Sequence, residues 1–225
     1  MVAYHDGNER RAAHSLVQRI AGGDEVVLVS DAGMPGLSYP GYRLVNACIE
    51  AGLPVEIVPG PSAAVTALAV SGLPTGRFAF EGFLPRKASD RRRRIGELSS
   101  EPRTLVIYES PHRIEDSLLD LREGLGDRPA CLARELTKLH EEVRRGTLSE
   151  LLDGVRDEGA RGEIVLVIGG AVHEHKGVPP AEDLANRARA LMEAGTPRRE
   201  ALTEVARSAG VPKRRVFDAL VETEE

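Results

Sequence analysis

Val26-Val27-Leu28-Val29-Ser30-Asp31-Ala32-Gly33-Met34-Pro35-Gly36-Leu37-Ser38-Tyr39-Pro40-Gly41 is the stretch on which the fold turns. An apolar run leads into a loop with three Gly and two Pro between residues 33 and 41, and a helical pattern starts at Tyr42. Gly opens backbone conformations closed to other residues and Pro fixes φ, so this loop specifies a backbone path. Strand, loop and helix in that order make one step of an α/β fold, and loops at the carboxyl ends of strands are where such folds bind ligands. Taken alone, one Gly-rich loop is equally an ordinary tight βα turn.

Outward from there the same step recurs. Val55–Val58, Phe78–Phe83, Thr104–Tyr108, Ala130–Ala133 and Ile164–Ile168 read as further strands, several of them apolar on both parities. Helical patterns fill the gaps at Glu9–Ala21, Tyr42–Ala51, Ser62–Val70 and Ile114–Glu123. The alternation predicts an α/β fold with largely parallel pairing, in an N-terminal α/β domain (1–75) and a C-terminal α/β domain (76–170) divided at the Leu73-Pro74-Thr75-Gly76 turn. A linker (171–180) then leads to a small helical domain (181–225) of three short helices, parted by Gly195-Thr196-Pro197 and Gly210-Val211-Pro212.

Composition narrows the function classes. At 41% hydrophobic the chain can build a core, which excludes a disordered tail. Thirty basic against thirty-five acidic residues, a net charge of −5, exclude a nonspecific coat for nucleic acid but not a local basic patch. Cys48 and Cys131 read as two buried thiols in a reducing compartment. No apolar run approaches the ~18 residues of a membrane span and no signal h-region opens the chain, so a soluble, cytoplasmic protein is expected, with no membrane and no DNA partner.

Three more strand-to-helix junctions carry polar groups. Val58-Pro59-Gly60-Pro61-Ser62-Ala63 puts Pro61 or Ser62 at a helix start, where free N–H groups and the dipole suit a carboxylate or phosphate. Tyr108-Glu109-Ser110-Pro111-His112-Arg113 and Ala133-Arg134-Glu135-Leu136-Thr137-Lys138 offer Glu109 or Glu135 as a general base and Arg113 or Lys138 as phosphate grips, although a salt-bridged surface explains any one of these charges as well. Arg86, Lys87, Arg91, Arg92, Arg93 and Arg94 form the clearest basic cluster, a candidate for RNA phosphate contact as much as a solvated helix. His173-Glu174-His175 is a weak metal signal, and no metal site is expected. Walker, GxGxxG, HExxH and GxSxG motifs are absent from the sequence.

Together the junctions resemble those of the ribosomal RNA small subunit methyltransferase I family, in the tetrapyrrole methylase superfamily. The residues that carry the likeness are Val29–Val45, Val58–Leu68, Ser71–Lys87, Tyr108–Arg113, Ala133–Leu151 and Arg161–Gly170, with the helical tail similar to the family's own. The resemblance implies two α/β domains of the tetrapyrrole methylase type with a small helical C-terminal domain, usually as a homodimer. It implies S-adenosylmethionine as cofactor and 2′-O-methylation of a cytidine in small-subunit (16S) ribosomal RNA, with that RNA or the 30S subunit as partner. It places the cofactor against Asp31, Ala32, Gly33, Met34, Pro35 and Leu37, then Pro61, Ser62 and Ala63. Tyr108, Leu132, Ala133, Arg134, Gly162 and Glu163 complete that set. RNA contact is expected from Arg86, Lys87, Arg91, Arg92, Arg94, Arg113 and Lys138, and proton removal from Glu109 or Glu135.

Met34 stands where the family usually has Thr, and Tyr39 where it has Asp. Tyr4–Arg10 resembles a segment the family places well inside its first domain, so the chain is expected to begin mid-domain, without the opening strand. Two alternatives follow: a tetrapyrrole C-methyltransferase, and an inactive RNA- or ribosome-binding remnant.

Overall fold

Nine helices and five strands are formed among the residues that the computed structural model describes, 1–5, 7–30, 33–38, 40–171 and 179–222. The strands are β1 (Phe78–Phe83), β2 (Thr104–Glu109), β3 (Pro129–Arg134), β4 (Glu142–Thr147) and β5 (Ile164–Ile168). They form one sheet in the order β1-β2-β5-β3-β4. Only β1 and β2 run parallel, while β5 lies antiparallel between β2 and β3, and β4 is antiparallel to β3. The expectation of largely parallel pairing is therefore corrected to a mixed sheet. Strand direction depends on which distant strands meet, which local periodicity does not encode.

The central strands are apolar on both parities because both faces are covered. On one face Leu105, Ile107, Leu132, Ile164, Leu166 and Ile168 meet helices α4 (Ala88–Glu97), α5 (Ile114–Leu125) and α6 (Leu148–Glu158) through Ile95, Leu118, Leu121 and Leu152. On the other, Val106, Tyr108, Cys131, Ala133, Val165 and Val167 lie against α3 (Ala63–Ser71) through Ala64, Ala67 and Leu68. Each fully buried Leu or Ile in these layers contributes about 1.5–3 kcal/mol. Helix α6 starts on a capping box, with Thr147 accepting the Glu150 N–H at 3.3 Å and Glu150 accepting the Thr147 N–H at 2.8 Å.

The Val26–Val29 and Val55–Val58 runs do not become strands. Among the described residues neither joins the sheet, and Val27, Val29, Ile57 and Val58 are all more than 70% exposed. A strand needs a neighbour for its backbone groups, and β propensity alone does not supply one. The helices beside them still form. Helices α1 (Glu9–Ala21) and α2 (Tyr42–Glu50) share a small core of Ala13, Leu16, Leu44 and Cys48. Glu9 closes the start of α2 by accepting the Gly41 N–H at 3.0 Å. Burial, and then the Glu9 carboxylate, push the Tyr4 phenol up to about 12.

Residues 1–171 and 172–225 are separate compact units. The second holds α7 (Ala181–Glu193), α8 (Arg198–Ala209) and α9 (Lys213–Glu222) around Leu184, Leu202, Val205, Val216 and Leu220, as the Pro and Gly punctuation predicts. The His173–His175 metal signal lies outside the described residues, as does most of the expected linker. Among the described residues no helix is long and apolar enough to cross a membrane.

Candidate functional site

The junctions meet at one end of the sheet. Register sets Glu109 beside Ile164, Ile164 beside Arg134, and Arg134 beside Glu142. The ends of β1, β2 and β3 thus share an edge with the start of β5, which carries Gly162 and Glu163 just before it. Helix α3 begins there too. The Tyr108 hydroxyl faces the Ala64 N–H and the Ser62 side chain, and burial pushes its phenol up.

The Gly/Pro loop lies against the same place. Met34 N–H donates to the Pro61 carbonyl at 3.1 Å. Gly33, at φ +104°, has the Pro61 carbonyl oxygen 3.0 Å from where a Cβ would be, and Gly60 has Met34 Sδ at 3.3 Å from such a point. Met34, Pro61, Ser62, Ala63 and Tyr108 are therefore linked by direct contact, and Arg134, Gly162 and Glu163 lie along the adjoining edge. Pro35 and Leu37 continue the loop, Leu37 half-exposed, and Ala133 is buried beneath α3. Asp31 and Ala32 lie outside the described residues. Leu132 departs from expectation. Its side chain enters the core on the α4–α6 face, away from α3, because side chains alternate along β3.

Both candidate bases are committed elsewhere. Glu109 is buried; it accepts the Ser117 hydroxyl at 2.6 Å and the Ser110 N–H at 2.8 Å, and faces Arg113 at 3.4 Å. Glu135 accepts the Glu163 N–H at 3.0 Å and Lys138 at 3.2 Å, and these two interactions hold its carboxyl below the usual range. Gly162, at φ +77°, makes that approach feasible, since a Cβ there would fall 2.2 Å from the Glu135 carboxylate. Lys138 also meets Glu163 at 3.2 Å, and the two carboxylates push its ammonium up. A general base has to reach the proton it removes; Glu109 is sealed from solvent and Glu135 is held by the Glu163 N–H and Lys138.

The basic cluster divides in the same way. Arg91, 5% exposed, is sealed against Asp120 at 2.6 Å, and Arg94 binds Glu81 at 2.6 Å and Glu97 at 2.8 Å. Arg113 donates to the carbonyls of Leu84 and Pro85, and its Nε is buried with no partner among the described residues. Arg86 and Lys87 are exposed, as is Arg92. Arg93, part of the basic cluster, is the most exposed of the four consecutive arginines, as helical phase requires: 100° per residue cannot keep both Arg91 and Arg93 inside.

Residues 3–152 match the family model of Tetrapyrrole (Corrin/Porphyrin) Methylases. The chain is 40% identical to Ribosomal RNA small subunit methyltransferase I of Synechocystis sp., over 99% of this chain and 80% of that one. It is 45% identical to the protein of that name from Mycobacterium tuberculosis, over 99% and 77%. Among solved structures it is similar to the methyltransferase CobJ, with a TM-score of 0.56 and 24% identity over 73% of this chain and 72% of that one, a likeness of fold.

Proposed function

The chain belongs to the tetrapyrrole methylases and, within them, to the ribosomal RNA small subunit methyltransferase I family, and from that premise we propose that it moves the methyl group of S-adenosylmethionine onto the ribose 2′-hydroxyl of a cytidine in small-subunit ribosomal RNA. The observation that carries this reading is identity of 40–45% across nearly the whole chain to proteins named for that RNA. The likeness to CobJ, at 24% identity, favours no tetrapyrrole substrate.

The residues at the sheet end suit an amino-acid-bearing nucleoside. Ser62, the N-cap of α3, has extended geometry and makes no capping bond with its own side chain, so the N–H groups of the first turn other than that of Ala64, which meets Tyr108, suit an anionic group such as a carboxylate. The Gly33–Pro61 and Gly60–Met34 approaches bring two backbone loops close enough for their polar groups to act together. Met34, Pro61, Ser62, Ala63, Tyr108, Arg134, Gly162 and Glu163 would hold the cofactor, whose sulfonium supplies an electrophilic methyl carbon. The work left to the protein is alignment of the ribose oxygen with that carbon, together with exclusion of water. Glu109 and Glu135 act by fixing the loops after β2 and β3. Exposed Arg86, Lys87, Arg92 and Arg93 supply phosphate contacts, while Arg91, Arg94, Arg113 and Lys138 brace the scaffold. The enzyme works in the cytoplasm, as a homodimer, on ribosomal RNA or the 30S subunit.

Calorimetry with S-adenosylmethionine and transfer of a labelled methyl group to small subunits from a strain lacking this activity test the reading. Expected are saturable heat and label in an alkali-resistant dinucleotide, since a 2′-O-methyl group protects the adjacent phosphodiester. Label on a base, or no saturable heat, overturns it.

A further inference from the structure

Strand β1 carries a bulge where it reaches the site. Phe80 stands opposite Val106, Gly82 opposite Ile107 and Phe83 opposite Tyr108, so Glu81 is the extra residue. Side chains alternate along a strand, and residues three apart ordinarily point to opposite faces. The extra residue resets that parity, and Phe80 and Phe83 both pack on Tyr108, with ring centroids 5.0 and 5.6 Å away. Gly82 makes the turn at φ +62°, and a Cβ there would lie 2.9 Å from Ser38 Oγ of the Gly/Pro loop. The chain beyond is locked. Leu84 is buried, and Arg113 donates to the Leu84 and Pro85 carbonyls at 2.8 and 3.2 Å. Yet Phe83 keeps 49% of its surface exposed. Bulges beside functional sites serve to re-aim a side chain. Here the side chain re-aimed is a half-exposed aromatic ring on the edge strand, packed on Tyr108 and three residues before the exposed Arg86-Lys87 pair.

We propose that Phe83 is the stacking platform for the nucleobase of the RNA residue being methylated. This rests on the RNA-methyltransferase reading above and adds to it the means of holding the substrate. A nucleotide drawn out of the base stack to align its ribose with the methyl donor loses stacking, which a protein ring can replace. An anchored ring that is half-open to solvent replaces it with little regard to base identity. The edge position favours the incoming RNA base over the adenine of the cofactor, whose expected contacts lie on the Gly/Pro loop, the start of α3, β2, β3 and the residues just before β5, and none on β1 itself.

The full chain and its Phe83→Ala, Phe83→Leu and Phe83→Tyr variants decide the matter, through cofactor affinity by calorimetry and KM and kcat for methyl transfer to small-subunit RNA. Phe83→Ala and Phe83→Leu raise the RNA KM about tenfold, Phe83→Tyr restores it, and cofactor affinity is the same in all four. Phe83→Leu matching Phe83→Tyr overturns the proposal, because simple apolar packing then suffices; that pair decides even if Phe83→Ala does not fold. Cofactor affinity falling while the RNA KM holds also overturns it, and assigns the ring to adenine. An active wild type with unaffected variants removes the platform alone. A wild type that binds cofactor but methylates no RNA removes the underlying reading, and the platform with it.

Discussion

Arg91 and Asp120 show how a residue's surroundings reassign its role. Four arginines in a row suggest phosphate contact, but Arg91 is inside, 2.6 Å from a carboxylate that is itself 6% exposed. Asp120→Ala leaves a buried guanidinium without its counter-charge and should cost about 3–5 kcal/mol, read as a lower midpoint in denaturant titration. Glu109→Gln should lower the melting temperature while the surviving folded protein keeps its kcat, because Glu109 ties Ser110, Arg113 and Ser117 together. A large fall in kcat with an unchanged melting temperature would restore Glu109 as the base. Glu101 supplies a pH test. Hydrogen bonds from the Arg103 side chain and backbone hold its carboxyl down to about 2, against an ordinary 4.5. A depressed folded-state pKa gives stability that is present above the unfolded value and is lost as pH falls through the folded one. Glu101→Gln should therefore flatten the stability curve between about pH 4.5 and pH 2, followed by acid titration of the circular dichroism signal.

At the scale of elements, what was legible had local causes. Glu9–Ala21, Thr104–Tyr108, Ile164–Ile168 and the three tail helices could be read from periodicity and from Gly and Pro punctuation. β4 could not, because Glu142–Thr147 reads EVRRGT, a charged sequence that suits an edge strand and carries no apolar alternation. The insertion of β5 between β2 and β3 was equally hidden, since pairing between residues 30 or more apart leaves no mark on either strand. Of the site, the loops were legible because Gly and Pro declare a backbone path. The burial of Glu109 and Arg91 was not, since it depends on Ser117 and Asp120 arriving on α5. Helix α6 gives this scale its own test: Thr147→Ala should cost about 1 kcal/mol in chemical denaturation by opening the capping box.

Across the whole molecule, two cores of unequal strength are joined in one chain. The sheet unit buries long aliphatic side chains on two faces, while the smaller tail core mixes Leu and Val with four alanines, Ala185, Ala188, Ala206 and Ala219. Small domains bury a lower share of their surface, so calorimetry should show two endotherms, the tail's first. The charge of the molecule is divided too. At −5 overall, RNA affinity has to come from a local patch, and Arg92→Ala with Arg93→Ala should reduce the salt slope of RNA binding by about one to two units.

The bare valine segments on either side of α2 have a practical consequence. Val27, Val29, Ile57 and Val58 present bare aliphatic side chains to water. At preparative concentration the purified material should light up an apolar dye such as ANS and turn turbid in ammonium sulfate well before a well-sealed globule of its size.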